Sequence, residues 1–343
     1  MADLMNYGNG IASFGIPVLG GGGVPPFPGT YYFVKPYSGS DARSGKTPAK
    51  ALKTLAEALN RCTANKHDVV FMISEGNTAA LASDYQATAL NWNKDGVHLI
   101  GIGSAPVMGQ RSRIAQLSTA LTIEDLFTVS ADNCLIANLE IFQGVDGSTA
   151  TSPRAMVVSG QRNRIVNCQI SGMGDATSTN TMDTAGACSL AVIYPGSENT
   201  FQHCYIGLDT IIKATATAEV RITGTGTGTR VARTVFEDCI FATYTSTATM
   251  KMVIHTYTDR FVLYKNCTFL CANAASGAVA ITGAFGQSDI NGMIAVHGSS
   301  SFNIGDWTTA DDATVFVSSF GGRAADATKT VEMGNAVTVD VTA

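Results

Sequence analysis

Five windows of the chain repeat one spacing of apolar residues, at positions 0, +3 and +5. They are Ile136/Leu139/Ile141, Ile165/Cys168/Ile170, Phe201/Cys204/Ile206, Phe236/Cys239/Phe241 and Tyr264/Cys267/Phe269. A plainer relative, Val97/Ile100/Ile102, keeps the spacing without a polar residue between. Side chains on a straight strand alternate faces, so positions 0 and +3 belong on opposite sides. All are apolar here, and a flat strand would put half of each window in water. A sharp bend just before +3 lets both arms face one interior. The residue at that point is Asn138, Asn167, His203, Asp238 or Asn266. Asn, Asp and His are the non-glycine residues that most readily take the left-handed conformation of a tight corner. The pattern predicts strand, corner, strand, repeated.

The spacing between windows predicts how the units assemble. Ile100 to Leu139 is 39 residues, Leu139 to Cys168 is 29, Cys168 to Cys204 is 36, Cys204 to Cys239 is 35 and Cys239 to Cys267 is 28. A strand-rich period of this length with variable insertions predicts an all-β solenoid, a parallel β-helix with equivalent side chains piled into ladders. The ladder residues expected are Asn138, Leu139, Asn167, Cys168, His203, Cys204, Asp238, Cys239, Asn266 and Cys267. Leu139 fills the place that Cys takes in four other windows, so these thiols read as buried small apolar groups rather than disulfide or zinc ligands.

The flanks differ. Residues 1–30 are interrupted everywhere by Gly and Pro yet carry Phe14, Ile16, Pro17, Val18, Leu19, Val24 and Phe27. An extended arm that docks on a partner, or packs back on its own body, fits this composition. Residues 31–34 read as a strand. Thr47 and Pro48 supply an N-cap and a first-turn proline, and Ala51, Leu52, Leu55, Ala58, Leu59 and Cys62 follow at helical spacing. A helix over 48–62 is therefore expected to cover the open end of a β-helix spanning residues 31–304. Residues 305–343 turn to strict alternation, as at Val337, Val339 and Val341, and read as a terminal β cap or subunit contact.

Composition narrows the function. The 343 residues are 45% hydrophobic and 14% charged, with 35 Gly and a net charge of −5. That excludes a basic footprint for nucleic acid. The first cation is Lys35 and no apolar run reaches membrane-spanning length, so neither a secretory start nor a membrane segment is expected. Residues 44–47 echo the end of a phosphate-binding loop, but Ser40 stands where its first Gly belongs and Pro48 removes a donor. A polysaccharide hydrolase would need two facing carboxyls. Asp175, Asp183, Asp209, Glu219, Glu237, Asp238, Asp311 and Asp312 form no recognisable set, and His67, His98, His203, His255 and His297 are scattered. No catalytic residue, metal site or cofactor is assigned.

Residues 5 to 80 resemble a family of tailed-bacteriophage virion proteins, through residues 6–10, 15–23, 31–34, 39–41, 51–59 and 74–77. The resemblance implies a right-handed β-helix, homotrimeric, made in the host cytoplasm and displayed on the capsid as a head decoration or spike. Its partner would be the major capsid protein, held by the N-terminal arm. The alternative is a tailspike-like polysaccharide depolymerase or glycan-binding β-helix that contacts host-surface glycans.

Overall fold

The structure is a computed structural model that describes residues 12–13, 16–17, 28–76, 78–103, 112–120, 122–144, 153–174, 186–213, 217–273, 281–308 and 315–318. The chain winds into a right-handed parallel β-helix with three faces. The first sheet has ten strands, from Tyr31–Val34 to Val315–Ser318. The second has eight, from Ser83–Gln86 to Ser300–Phe302, and the third has seven, from Leu90–Trp92 to Phe285–Ser288. From Val69–Ile73 onward the turns visit the faces in that order, as in Leu135–Ala137, Glu140–Phe142 and Arg154–Val158.

Register places the five windows directly over one another, whereas the plainer relative is out of phase: Leu99, not Val97, pairs with Ile136, Ile100 pairs with Ala137 outside the main core, and Ile102 is exposed. Ile136 pairs with Ile165, Ile165 with Phe201, Phe201 with Phe236 and Phe236 with Tyr264. On the second sheet Ile141, Ile170, Ile206, Phe241 and Phe269 stack likewise. All ten are fully buried in one continuous core. Toward the C-terminal end the ladders become aromatic: ring centroids are 4.8 Å apart for Phe201 and Phe236, 5.1 Å for Phe236 and Tyr264, and 4.5 Å for Phe241 and Phe269.

The corners are the expected ones. Asn138, Asn167, His203, Asp238 and Asn266 have φ of 58°, 51°, 52°, 52° and 53°. The next turn uses Gly298, at φ 61°, where no Cβ opposes the conformation. Asn167 donates through Nδ2 to Asn138 Oδ1 at 2.8 Å, tying one corner to the next. After each corner the thiol turns inward. Cys168, Cys204, Cys239 and Cys267 are at most 1% exposed, and each Sγ donates weakly to the carbonyl two residues back, at 3.3–3.4 Å. Ser299 takes the place in the following turn, its Oγ 3.2 Å from His297 O.

A second, shorter ladder closes the turns from third face to first. Asn163 Oδ1 accepts from Cys134 N and Asn199 Oδ1 from Asn163 N, both at 2.8 Å. The amide groups donate to Ala131 O and Gly160 O at 2.9 Å. Asn133, Arg162 and Glu198, one residue earlier, carry the left-handed φ of 57°, 56° and 61°.

Both ends differ from expectation. The helix runs only Leu55–Arg61, capped by Thr54, whose side chain accepts from Glu57 N at 3.2 Å. Pro48–Lys50 is a separate 3-10 turn. Leu52 is drawn into the edge of the first sheet instead: its N–H donates to Phe33 O at 2.8 Å and its carbonyl accepts from Lys35 N at 2.9 Å. That edge pairing outweighs the apolar spacing that suggested one longer helix. Leu55, Ala58 and Leu59 still cover the end of the core. At the other end, Val315–Ser318 pairs in parallel with Asn291–His297 and Thr308 bridges Phe285. Among the described residues the parallel pairing therefore extends past residue 304. Val337, Val339 and Val341 lie outside the described residues. Of the arm, Ile16–Pro17 forms a two-residue antiparallel pair with Ala12–Ser13, while Phe14, Val18, Leu19, Val24 and Phe27 lie outside the described residues.

Two predictions follow from this packing. Asn167→Ala should cost about 1–3 kcal/mol, from the left-handed corner and the lost ladder bond, and Asn167→Gly measurably less; equal losses in denaturant midpoint would contradict the corner account. The second concerns Asp84, whose Oδ2 accepts from Leu55 N at 2.8 Å beneath the helix. Burial pushes its carboxyl up to about 6. The folded state then holds the proton more tightly than the unfolded chain, so this contribution is present at pH 4 and lost as pH rises to 6. Its size is on the order of 3 kcal/mol. Asp84→Asn should flatten that descent, and parallel stability curves for the two proteins would refute the assignment.

Candidate ligand face

Rung stacking sets like positions about 4.8 Å apart, so each outer face is a set of side-chain ladders. On the first face the ladder closes on itself. Arg164 Nε donates to Gln202 Oε1 at 2.7 Å, Gln202 Nε2 to Glu237 Oε2 at 2.6 Å, and Lys265 Nζ to Glu237 Oε1 at 2.6 Å. The bonds from Lys265 and then Gln202 hold the Glu237 carboxyl below its ordinary range. Beside it, Glu198 is gripped by Arg162 at 2.8 Å and Arg233 at 2.7 Å. On the second face Arg113 lies 3.4 Å from Glu140 and 4.4 Å from the centroid of Phe142.

The third face is built differently. Phe127, Val129, Met156, Val158, Leu190, Val192, Val220 and Ile222 point into the core. The alternate positions Thr128, Val157, Ala191, Arg221 and Ile254 are in register on the opposite side, where Val157 and Ala191 are nonetheless buried. At the strand starts Arg154 pairs with Asp125 through two bonds, Nε at 2.6 Å and Nη2 at 2.8 Å. Cys188, one rung on, is buried against Val157 and Ala191. Burial pushes its thiol up to about 12, although Arg221 and Arg154 both pull the other way.

Among the described residues Arg221 has no hydrogen-bond or ion-pair partner. Its Nε is buried without a hydrogen bond, and burial lowers its pKa with no carboxylate opposing the shift. Lys251 starts the next rung, half-buried, and burial likewise lowers it. Its stem passes over Gly286, where an added Cβ would lie 3.4 Å from Lys251 Cγ. At the far end of the Cys188–Ile193 strand, Tyr194 is 42% exposed.

On the same side of the strand as Arg221 a polar cluster is enclosed. Lys213 Nζ is 3.3 Å from Glu219 Oε1, the two side chains being 2% and 0% exposed. Ser189 Oγ donates to Glu219 Oε2 at 2.7 Å and accepts from Gly172 N at 2.9 Å. Such a paired charge is held in place by its partner and has no open side for a ligand.

Of the carboxyls singled out in the sequence, Asp209 and Glu219 meet at Tyr205, whose phenol is pushed up by burial and by both charges, with Asp209 also hydrogen-bonded to it; the other described ones lie apart. Glu219 is enclosed, Glu237 belongs to the first-face ladder, and Asp238 sits at a corner 3.8 Å from His203 Nδ1. Asp209 lies on the Tyr205–Lys213 strand; Asp175, Asp183, Asp311 and Asp312 lie outside the described residues. His203 is an exposed corner residue, as its ladder position requires. His67 and His98 stack at 5.4 Å, and His98 Nδ1 accepts from Leu135 N at 2.9 Å. His255 Nε2 is 2.9 Å from Tyr264 Oη inside the core. Among the described residues no three His, Cys, Asp or Glu side chains are grouped to hold a metal, and no helix is long and apolar enough to cross a membrane. Sequence reading missed Asp125, Arg154, Cys188, Arg221 and Lys251. The third-face strands lack the polar-residue-then-Cys marker, and the connections leading into them vary in length.

No protein-family model matches the chain, and no curated protein matches it in sequence. Solved structures do. A pectin methylesterase in complex with a hexasaccharide aligns with a TM-score of 0.54 and 17% identity, covering 88% of this chain and 92% of that one. The pectin methylesterase of Erwinia chrysanthemi gives 0.54 and 16%, over 90% and 93%. A rhamnogalacturonan lyase gives 0.50 and 14%, over 84% and 73%. At such identities the likeness is one of fold.

Proposed function

We propose that this protein is a polysaccharide-binding β-helix. The observation that carries this reading is the fold, which over 88% of the chain is shared with a pectin methylesterase solved with a bound hexasaccharide. Two of the described carboxyls are already engaged: Asp125 is locked by Arg154 and Glu219 is enclosed with Lys213. Neither is free to act as a general acid.

The test is retention on a panel of immobilised bacterial surface polysaccharides, with reducing ends assayed in parallel. Retention on at least one polymer without release of reducing ends is expected. Failure to bind any polymer would defeat the reading, and release of reducing ends would convert it to a depolymerase.

A second reading concerns where the protein is displayed, and it is favoured by the resemblance of residues 5 to 80 to phage virion proteins. In it the protein is a homotrimer anchored by residues 1–30 to the major capsid protein, with the β-helix standing outward. Deleting residues 1–30 should abolish association with capsids while leaving the thermal transition of the body in place. Undiminished association would exclude the arm as anchor.

A further inference from the structure

The outer side of the first sheet is divided in two. On its early rungs the side chains pointing away from the core are apolar: Val69 and Phe71, then Ile100, then Leu135 and Ala137, a cluster separate from the core. They are only 0–7% exposed. Later in the column of Leu135, past Arg164 and Thr200, stand Val235, Leu263 and Ala295, each with a strand on either side. Those three remain partly exposed. Neighbouring rungs alone therefore do not bury an outward side chain on this sheet. The described apolar residues packed on the early group, Tyr31, Phe33 and Val166, belong to the same sheet and flank it without lying over it. His67 lies at one margin, stacked on His98. The burial of Phe71, Ile100 and Ala137 requires a cover that the described residues do not supply, as a contiguous apolar patch ordinarily does.

The point where the chain enters the body identifies that cover. The strand Tyr31–Val34 ends this sheet and lies beside Val69–Ile73. Just before it the backbone is fixed at the margin of the patch. Thr30 N donates to Asp68 Oδ1 at 2.6 Å, and Gly29 passes so close to the His67 carbonyl that a Cβ would not fit. From there, crossing the patch takes about 10–15 Å, or roughly four or five extended residues, and residues 1–27 have length to spare. Their composition suits the surface: Phe14, Ile16, Val18, Leu19, Val24 and Phe27 are apolar, and Asp3 is the one charged side chain. Residues 319–343 suit it less. They carry Arg323, Asp326, Lys329, Glu332 and Asp340, and they follow Val315–Ser318 at the opposite end of the same sheet.

We propose that in the free protein the chain's own N-terminal arm, residues 1–27, lies over this patch as an intramolecular strap. The inference is independent of the glycan-binding reading and goes beyond the display reading, since it gives the arm a seat when no capsid is present.

Thiol reactivity in the full chain tests it, because the eight native cysteines are buried. Ala137→Cys places a probe beneath the strap, and Val235→Cys places one on the same sheet beyond it. With the native arm, Ala137→Cys should react with 5,5′-dithiobis(2-nitrobenzoate) at least about tenfold more slowly than Val235→Cys. Adding Val18→Ser, Leu19→Ser and Phe27→Ser should bring the two to similar rates, with Val235→Cys unchanged. Protection of Ala137→Cys that persists with the polar arm would overturn the proposal, as would equal rates with the native arm. The protection should not depend on protein concentration; its loss on dilution would assign the arm of a second copy and overturn the intramolecular strap. Should the polar-arm variant lose its β-sheet circular dichroism, photo-crosslinking from Phe71→p-benzoylphenylalanine decides in its place. Capture of a peptide from residues 1–27 is expected there, and capture of any other segment, or of none, contradicts the proposal.

Discussion

The whole architecture depends on a reversal of side-chain parity once per turn. Two apolar arms an odd number of residues apart reach one interior only if a residue between them leaves the extended conformation. Asn138, Asn167, His203, Asp238 and Asn266 make that reversal in the left-handed region, and Gly298 makes it again. Conformational cost is kept low by choosing residues that tolerate positive φ. Once the corner is fixed, the next residue must point inward, and only a small or compliant side chain fits there. Leu139, four thiols and the Ser299 hydroxyl fill the column in turn.

Stacking then determines what the outside can do. Identical positions recur at each rung, so a charge on one rung meets its partner on the next with little freedom lost. The first face uses this to close Arg164, Gln202, Glu237 and Lys265 into a single hydrogen-bonded string. On the third face the same geometry brings Arg154 and Arg221 to bear on one buried thiol, Cys188. Arg154 is cancelled there by Asp125, while no carboxylate acts on Arg221. The difference between the faces lies in which side chains occupy equivalent rungs, since backbone and spacing are shared.

How much of this could be read in the chain follows from where the constraints are local. The corner is local, a polar residue wedged between apolar positions of conflicting parity, and so the windows around Cys168, Cys204, Cys239 and Cys267 revealed the solenoid and its ladders. The second ladder, of Asn163 and Asn199, was harder to see, because its acceptors belong to neighbouring rungs and its spacing is set by connections of unequal length. The helix limits failed for a related reason. Leu52 has helical spacing to Leu55 and Leu59, yet its backbone is claimed by Phe33 and Lys35, distant in sequence. Arg221 and Lys251 gave no sign at all, since an unpaired charge is defined by what does not approach it in space.

Replacing the corner residues tests most directly the claim that one left-handed residue per turn makes the solenoid. Substituting Asn138, Asn167 and Asn266 together by Gly should leave the cooperative thermal transition and the β-sheet circular dichroism in place, whereas substituting all three by Val should abolish both; a triple Val variant that folds and melts like the unaltered protein would contradict it.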